Sequence, residues 1–93
     1  MNLMKEIIRT DILTNKKYQQ NQLIRIAILK DKTTILNNDV LGRGLYFHPK
    51  NLINKKRWEI LKFKIKKNGG DFSQISDKLS SFYQGGNFDG EKK

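Results

Sequence analysis

The chain has 93 residues, 37% of them hydrophobic, and a formal net charge of +10 at pH 7. A chain of this length forms one domain with a modest core, and the absence of cysteine excludes disulfides, thiolate metal sites and a cysteine nucleophile. No apolar run approaches the roughly 20 residues of a membrane span, and the first residues do not resemble a signal peptide. We therefore expect a cytoplasmic protein that makes no membrane contact.

The charge predicts an anionic partner, because a strongly positive potential surrounds so basic a domain. A second explanation is compositional, since the Lys-, Ile- and Asn-rich chain is of the kind that an AT-rich genome encodes. All but four of the 19 basic residues are lysines. A position that keeps arginine can require its planar, bidentate guanidinium; these positions are Arg9, Arg25, Arg43 and Arg57.

The first predicted strand is LIRIAILK, residues 23–30, which follows a weakly patterned stretch over 1–22. Its residues are β-branched at alternate positions, as is typical of a strand with one buried face. The isoleucines would share one face of the sheet, and Arg25 would lie on the other.

Two further strands complete an antiparallel sheet in the prediction. A turn at 31–34 returns the chain into TTIL, residues 33–36, and a loop follows at 37–39. The third strand is LYFH, residues 45–48. Alternation places Leu45 and Phe47 on one face, and Tyr46 and His48 on the other.

Helices are predicted after Pro49, which suits the first turn of a helix over 49–57 with Leu52 and Ile53 inward. The segment WEILKFKIKK, residues 58–67, is ambiguous. Its alternation of apolar residues with lysine fits a strand, whereas Trp58, Leu61 and Ile65 fit a helical face. We favour a short helix to about residue 63 and then an extended exit.

The last predicted helix covers 71–84, after a break at 68–70. Asp71 is its predicted N-cap, Gln74 would complete a capping box, and the apolar stripe is Phe72, Ile75, Leu79 and Phe82 or Tyr83. The expected fold class is α+β with two layers, a small antiparallel three-stranded sheet packed against two or three helices. We expect a monomer with a single domain over 1–84, followed by a disordered tail at 85–93.

The tripeptide Gly42-Arg43-Gly44 is the best candidate for a binding element. A glycine turn here would present backbone N–H groups to an anion, and Arg43 could fork onto a phosphate or a guanine edge. Tyr46 offers a stacking face for an unpaired base. The alternative is a plain turn in which Arg43 pairs with Asp39 or Asp11.

These elements resemble the YlxR-like family of small bacterial proteins. The family's G-R-G-A-Y motif corresponds to GRGLY at 42–46, its L-x-R strand to LIR at 23–25 and its leading arginine to Arg9, so the resemblance covers roughly residues 7–83. It implies a small α+β fold with a basic surface that binds RNA. Members have been linked to the RNA subunit of ribonuclease P, and others to the nucleoid and to transcription.

The chain also departs from the family pattern. Leu45 replaces the usual alanine, and QQNQ at 19–22 replaces residues that are often basic. Some members carry cysteine pairs that suggest a metal site. The corresponding residues here are Asp11, Thr14 and His48, so a thiolate site is not available.

We therefore expect a non-catalytic protein that binds structured RNA, with no metal and no cofactor; the resemblance implies the ribonuclease P RNA as target. No paired carboxylates, nucleophile–base pattern or P-loop points to an enzyme. The lysines would supply affinity. Arg9, Arg25 and Arg43 would form one cleft with Tyr46. The alternatives are a DNA-binding regulator of the nucleoid or transcription, and a module that docks an acidic protein. The predicted nucleic-acid-binding residues are Arg9, Arg25, Gly42, Arg43, Gly44, Tyr46, Lys55, Lys56, Arg57, Lys62 and Lys64.

Overall fold

The computed structural model describes residues 7–37 and 42–84 of the chain. The tail predicted at 85–93 and most of the loop predicted at 37–39 lie outside the described residues. In chain order the elements are β1 (Ile8–Thr10), β2 (Lys17–Gln19), β3 (Ile24–Ile28), β4 (Thr34–Leu36), β5 (Arg43–Phe47), α1 (Lys55–Lys67) and α2 (Ser76–Ser80). Single 3₁₀ turns occur at Gln20–Gln22, Pro49–Asn51 and Phe72–Gln74.

The predicted three-stranded antiparallel sheet is confirmed, with β3 in the centre and the strand order β4-β3-β5. Strand β5 begins at Arg43, two residues earlier than the prediction, and its register against β3 is unbroken from Arg43 to Phe47. The fold is therefore of the predicted α+β class. Because the register is continuous, side chains alternate strictly between the two faces of this sheet.

One face of the sheet packs against α1 and forms the core. Ile26 and Phe47 are fully buried there, together with Leu61 and Ile65 of α1, and Trp58 is almost fully buried. The isoleucines of β3 lie on this face, as the alternation predicts. We call the opposite face, which carries Arg25, Ala27, Gly44 and Tyr46, the outer face of the sheet.

Helix α1 differs from the prediction at both ends. A helix over 49–57 is wrong, because Pro49–Asn51 is a single 3₁₀ turn and the side chain of Asn54 caps a new helix by accepting from the backbone N–H of Arg57 at 2.8 Å. Ile53, predicted to point inward, is 42% exposed in the connection. The extended exit after residue 63 is also wrong: the segment stays helical to Lys67 and leaves Phe63 60% exposed.

The last predicted helix is split into a 3₁₀ turn and the short helix α2. Asp71 is the confirmed N-cap and accepts from the backbone N–H of Ser73 at 3.0 Å. The predicted capping role of Gln74 is wrong, because its side-chain oxygen accepts from the backbone N–H of Thr34 in β4 at 2.7 Å. The apolar stripe is confirmed, and it packs on the core through residues that include Ile75 and Leu79.

The N-terminal hairpin of β1 and β2 was not predicted. Its turn contains Asp11, whose fully buried carboxylate accepts from the backbone N–H of Leu13 at 2.6 Å and from the side-chain amide of Asn51. The backbone N–H of Ile12 donates to the carbonyl of Tyr46 at 2.9 Å, which fixes the hairpin against the edge of β5. Among the described residues, no helix is long and apolar enough to span a membrane.

Candidate nucleic-acid interface

The predicted glycine turn is wrong at Arg43 and Gly44, because both residues are part of a strand. Arg43 and Gly44 lie within β5 and pair with Ile28 and Ala27 of β3. Gly42 has a φ of +139°, and a Cβ there would lie 2.7 Å from the carbonyl oxygen of Ile28, so only glycine fits without strain. Gly42 therefore allows the close packing of this part of the sheet.

Gly44 is needed because the side chain of Arg25 crosses directly over it. A Cβ at Gly44 would lie 2.6 Å from Nε of Arg25. The guanidinium donates from Nη1 to the carbonyl of Asn37 at 3.0 Å and from Nη2 to the carbonyl of Gly42 at 3.1 Å. These two carbonyls flank residues 38–41, so Arg25 holds together both ends of the connection between β4 and β5.

A line of cations and aromatic rings begins at Arg25. Tyr46 lies directly opposite Arg25 in the register of β3 and β5, so the two side chains are neighbours on the outer face. The guanidinium carbon of Arg9 lies 5.5 Å from the centre of the Tyr46 ring. Nε of Arg9 donates to the side-chain oxygen of Gln20 at 2.9 Å, which orients the guanidinium.

The line continues onto the N-terminal hairpin. Tyr18 of β2 pairs directly with Arg9 of β1, so their side chains share a face of the hairpin. Nζ of Lys50 lies 5.4 Å from the centre of the Tyr18 ring, and the ring of His48 lies 4.9 Å from it. We call these five residues the cation–aromatic row: Arg25, Tyr46, Arg9, Tyr18 and Lys50.

The sequence did not identify Tyr18 and Lys50 as candidates. A tyrosine that follows two lysines, as in Lys16-Lys17-Tyr18, is a basic and aromatic pattern that could have drawn attention to the first. Gln20, which orients Arg9, carried no such pattern.

Arg43 does not join this row, so the prediction of a single cleft is wrong for Arg43. It pairs with Ile28 and therefore projects to the core side of the sheet, at the margin of the core. There it lines a concavity of about 420 Å³ with Lys30 and Lys32, closed by Asn68 and Gly69 after α1. Arg43 belongs to a second basic area on the other side of the sheet.

The predicted basic residues of α1 do not form one surface. Lys56 and Lys64 lie on the flank that faces the N-terminal hairpin, beside Ile12 and Leu13. Lys62 lies on the opposite flank, with Nζ 6.0 Å from the centre of the Phe72 ring. Lys55 is exposed in the first turn of the helix, whereas the half-buried Arg57 donates from Nη1 to the carbonyl of Asn51 at 3.1 Å and so takes part in the fold.

His48 lies at the end of the row, with its ring beside that of Tyr18. Its pKa is lowered, first by burial and then by the charge of Lys50, while Asp11 acts in the opposite direction. The backbone N–H of Lys50 donates to Nδ1 at 3.1 Å, which keeps this nitrogen unprotonated. Within the described residues, no group of three or more metal-ligating side chains comes together.

Comparisons of this chain with protein-family models, with curated proteins and with solved structures found no match.

Proposed function

We propose that this protein is a non-catalytic RNA-binding protein that holds structured RNA against the cation–aromatic row. The observation that carries the proposal is the row itself, in which cations and aromatic rings from β3, β5, the N-terminal hairpin and the Pro49–Asn51 turn alternate along one side of the molecule. Aromatic faces stack on unpaired bases, and arginine and lysine contact phosphates. Arginine also stacks on bases and forks onto phosphates.

The exposure of the row supports this role. Arg9 and Lys50 are exposed, while Tyr18, Tyr46 and Arg25 are half-buried. Half-buried rings are held in a fixed orientation and lose little side-chain freedom on binding. The net charge of +10 adds a salt-dependent attraction for any polyanion.

The target and the family remain part of the proposal. The GRGLY motif and the LIR strand support a YlxR-like protein, and through that resemblance the ribonuclease P RNA as the structured target. A role of the motif in this surface is compatible with the assignment. Gly44 leaves the space that the side chain of Arg25, the first member of the row, occupies on the outer face.

The test is a binding titration of the full chain against a bacterial ribonuclease P RNA and against duplex DNA of similar length. Arg9→Gln removes one exposed positive charge from the row, and Lys78→Gln removes one from α2. We expect Arg9→Gln to weaken RNA binding about tenfold, because a stacked or forked contact is lost with the charge. Lys78→Gln should weaken it less than about twofold, as a distant surface charge does.

A third variant, Arg9→Lys, keeps the charge and removes the planar guanidinium, and it should lose most of the same affinity. Equal effects of Arg9→Gln and Lys78→Gln would show that net charge alone explains binding and would refute the proposal. Equal binding of duplex DNA would favour the nucleoid or transcription regulator instead. If the chain binds neither nucleic acid, the proposal is refuted, and the remaining alternative is a module that docks an acidic protein.

A further inference from the structure

An apolar groove lies between the N-terminal hairpin and α1, outside the cation–aromatic row. Ile12 forms one wall, and Ile60 and Phe63 form the other, around a volume of about 620 Å³. Phe63 is 60% exposed, although it lies in the middle of a 13-residue helix. Together with Ile12 and Ile60 this ring forms a contiguous apolar patch, which is typical of a binding groove.

Lysine side chains lie at both ends of this groove. Lys56 and Lys64 line it and lie eight positions apart on α1, which corresponds to about 12 Å along the helix axis at about 1.5 Å per residue. Nζ of Lys67 lies 6.0 Å from the centre of the Phe63 ring. An apolar floor with a cation at either end fits a nucleobase between two backbone phosphates.

Only a short piece of chain separates the groove from the row. Arg9 stacks on Tyr46 in the row, and Ile12, three residues later, lines the groove. Three residues of extended chain span at most about 11 Å. A single RNA strand that contacts the row can therefore follow the N-terminal hairpin to the groove.

We propose that the groove binds an unpaired nucleobase, stacked on Phe63, from a single-stranded segment of the same RNA that contacts the row. The inference rests on the proposed function and extends it, because it gives the target an unpaired nucleotide next to its structured part. The carboxylate of Glu59 also lines the groove, which disfavours a phosphate at the centre and suits the amino group of a base. A second copy of the chain is a poor occupant, since both copies carry a charge of +10.

The test uses an RNA hairpin with a single-stranded 3′ extension and the same RNA with abasic nucleotides in that extension. The phosphates are the same in both, so the difference in affinity measures the bases alone. We expect the full chain to bind the base-containing RNA on the order of tenfold more tightly, because this is the gain in affinity that one base stacked on an aromatic ring provides. Phe63→Leu should abolish this preference, and Phe63→Tyr, which keeps an aromatic face, should retain it.

The controls separate the two levels of the proposal. Ile53→Ala truncates another exposed apolar side chain, outside the residues that line the groove, and should leave the preference unchanged. Arg9→Gln should lower the affinity for both RNAs by the same factor, and if it does not, the proposed function is refuted. If Arg9→Gln weakens both RNAs but Phe63→Leu keeps the preference, only this inference is refuted. Equal affinity of the wild-type chain for both RNAs also refutes it, and would point to an acidic protein segment as the occupant of the groove.

Discussion

At the scale of single residues, Gly44 and Arg25 depend on one another. The side chain of Arg25 occupies the space that a Cβ at Gly44 would need, and from there it donates to the carbonyls of Asn37 and Gly42. Neither residue's role is visible without the other, because the guanidinium can reach both carbonyls only by crossing a position without a side chain.

Gly44→Ala should therefore destabilise the protein by about 1–2 kcal/mol, since the new methyl group displaces the guanidinium and breaks its hydrogen bonds to the carbonyls of Asn37 and Gly42. In an Arg25→Ala background the same substitution should be neutral or stabilising by about 0.5 kcal/mol, because alanine then removes the entropic cost of a glycine within a strand. Urea unfolding of the four proteins of this double-mutant cycle measures the coupling. Additive effects would show that the crossing of Arg25 over Gly44 contributes nothing to stability.

His48 gives stability a specific dependence on pH. Burial and the charge of Lys50 lower its pKa in the folded protein below the usual value of 6.5. At a pH between this lowered pKa and 6.5, the unfolded chain therefore binds more protons than the folded one. The free energy of unfolding should fall as pH decreases below about 6.5 and level off below the pKa of the folded state. Urea titrations between pH 7.5 and about pH 5 measure this slope.

His48→Asn is the matched control for this slope. Asparagine does not titrate, and its side-chain oxygen can accept from the backbone N–H of Lys50 as Nδ1 of His48 does. Asp31, whose pKa is lowered by hydrogen bonds from the side chain and the backbone of Thr33, titrates below this range of pH. A wild-type protein whose stability is flat from pH 7.5 to 5 would contradict the prediction.

At the scale of elements, the sequence predicts the parts that have one clearly buried face. Strand β3 alternates isoleucine with other residues, and β5 alternates Leu45 and Phe47 with Tyr46, so their faces follow from the pleat alone. The hairpin of β1 and β2 was not predicted because its strands are three residues long. All three residues of β1 are exposed, so this strand has no alternation of buried and exposed residues.

Helix α1 was misread for a different reason. The alternation of Leu61, Phe63 and Ile65 with lysine fits a strand as well as the spacing of Trp58, Leu61 and Ile65 fits a helix. Tertiary packing decides between them, because the helix buries three large apolar side chains and exposes only one, that of Phe63. Three members of the cation–aromatic row, Arg25, Tyr46 and Arg9, belong to the predicted cleft. Tyr18 and Lys50 were missed for a related reason, since only the tertiary structure brings their segments beside the others.

The charge distribution along α1 yields a prediction for this element. Its first turn carries Lys55, Lys56 and Arg57 and no acidic residue, although the helix dipole disfavours cations at this end. Lys55→Glu should therefore raise the free energy of unfolding by about 0.5–1 kcal/mol, while it weakens RNA binding. Urea unfolding and a parallel RNA titration measure the two effects.

Lys66→Glu is the matched control, because it makes the same change of charge in the last turn of α1, where the dipole favours a cation. It should stabilise the protein less than Lys55→Glu, or destabilise it. Equal stabilisation by both would show that relief of the net charge of +10, and not the helix dipole, determines the effect.

At the scale of the whole molecule, positive charge lies on several sides of the domain, so net charge does not say which side meets RNA. The cation–aromatic row runs from the outer face of the sheet onto the N-terminal hairpin and the Pro49–Asn51 turn. Arg43 lies at the core side with Lys30 and Lys32, and the lysines of α1 lie on both flanks of the helix. An RNA that contacts the row and the adjoining groove should contact the flank of Lys64 and not that of Lys62.

Salt dependence can identify that flank. Each phosphate that a cation neutralises contributes about −0.9 to the slope of log affinity against log salt for a duplex, and about −0.7 for a single strand. Lys64→Gln should therefore make the slope less steep by about one phosphate contact, while Lys62→Gln leaves it unchanged. Arg9→Lys should lower the affinity at every salt concentration and keep the slope, because it retains the charge. The same slope in Lys64→Gln as in the wild type, or a change in Lys62→Gln, would place the RNA on another side of the molecule.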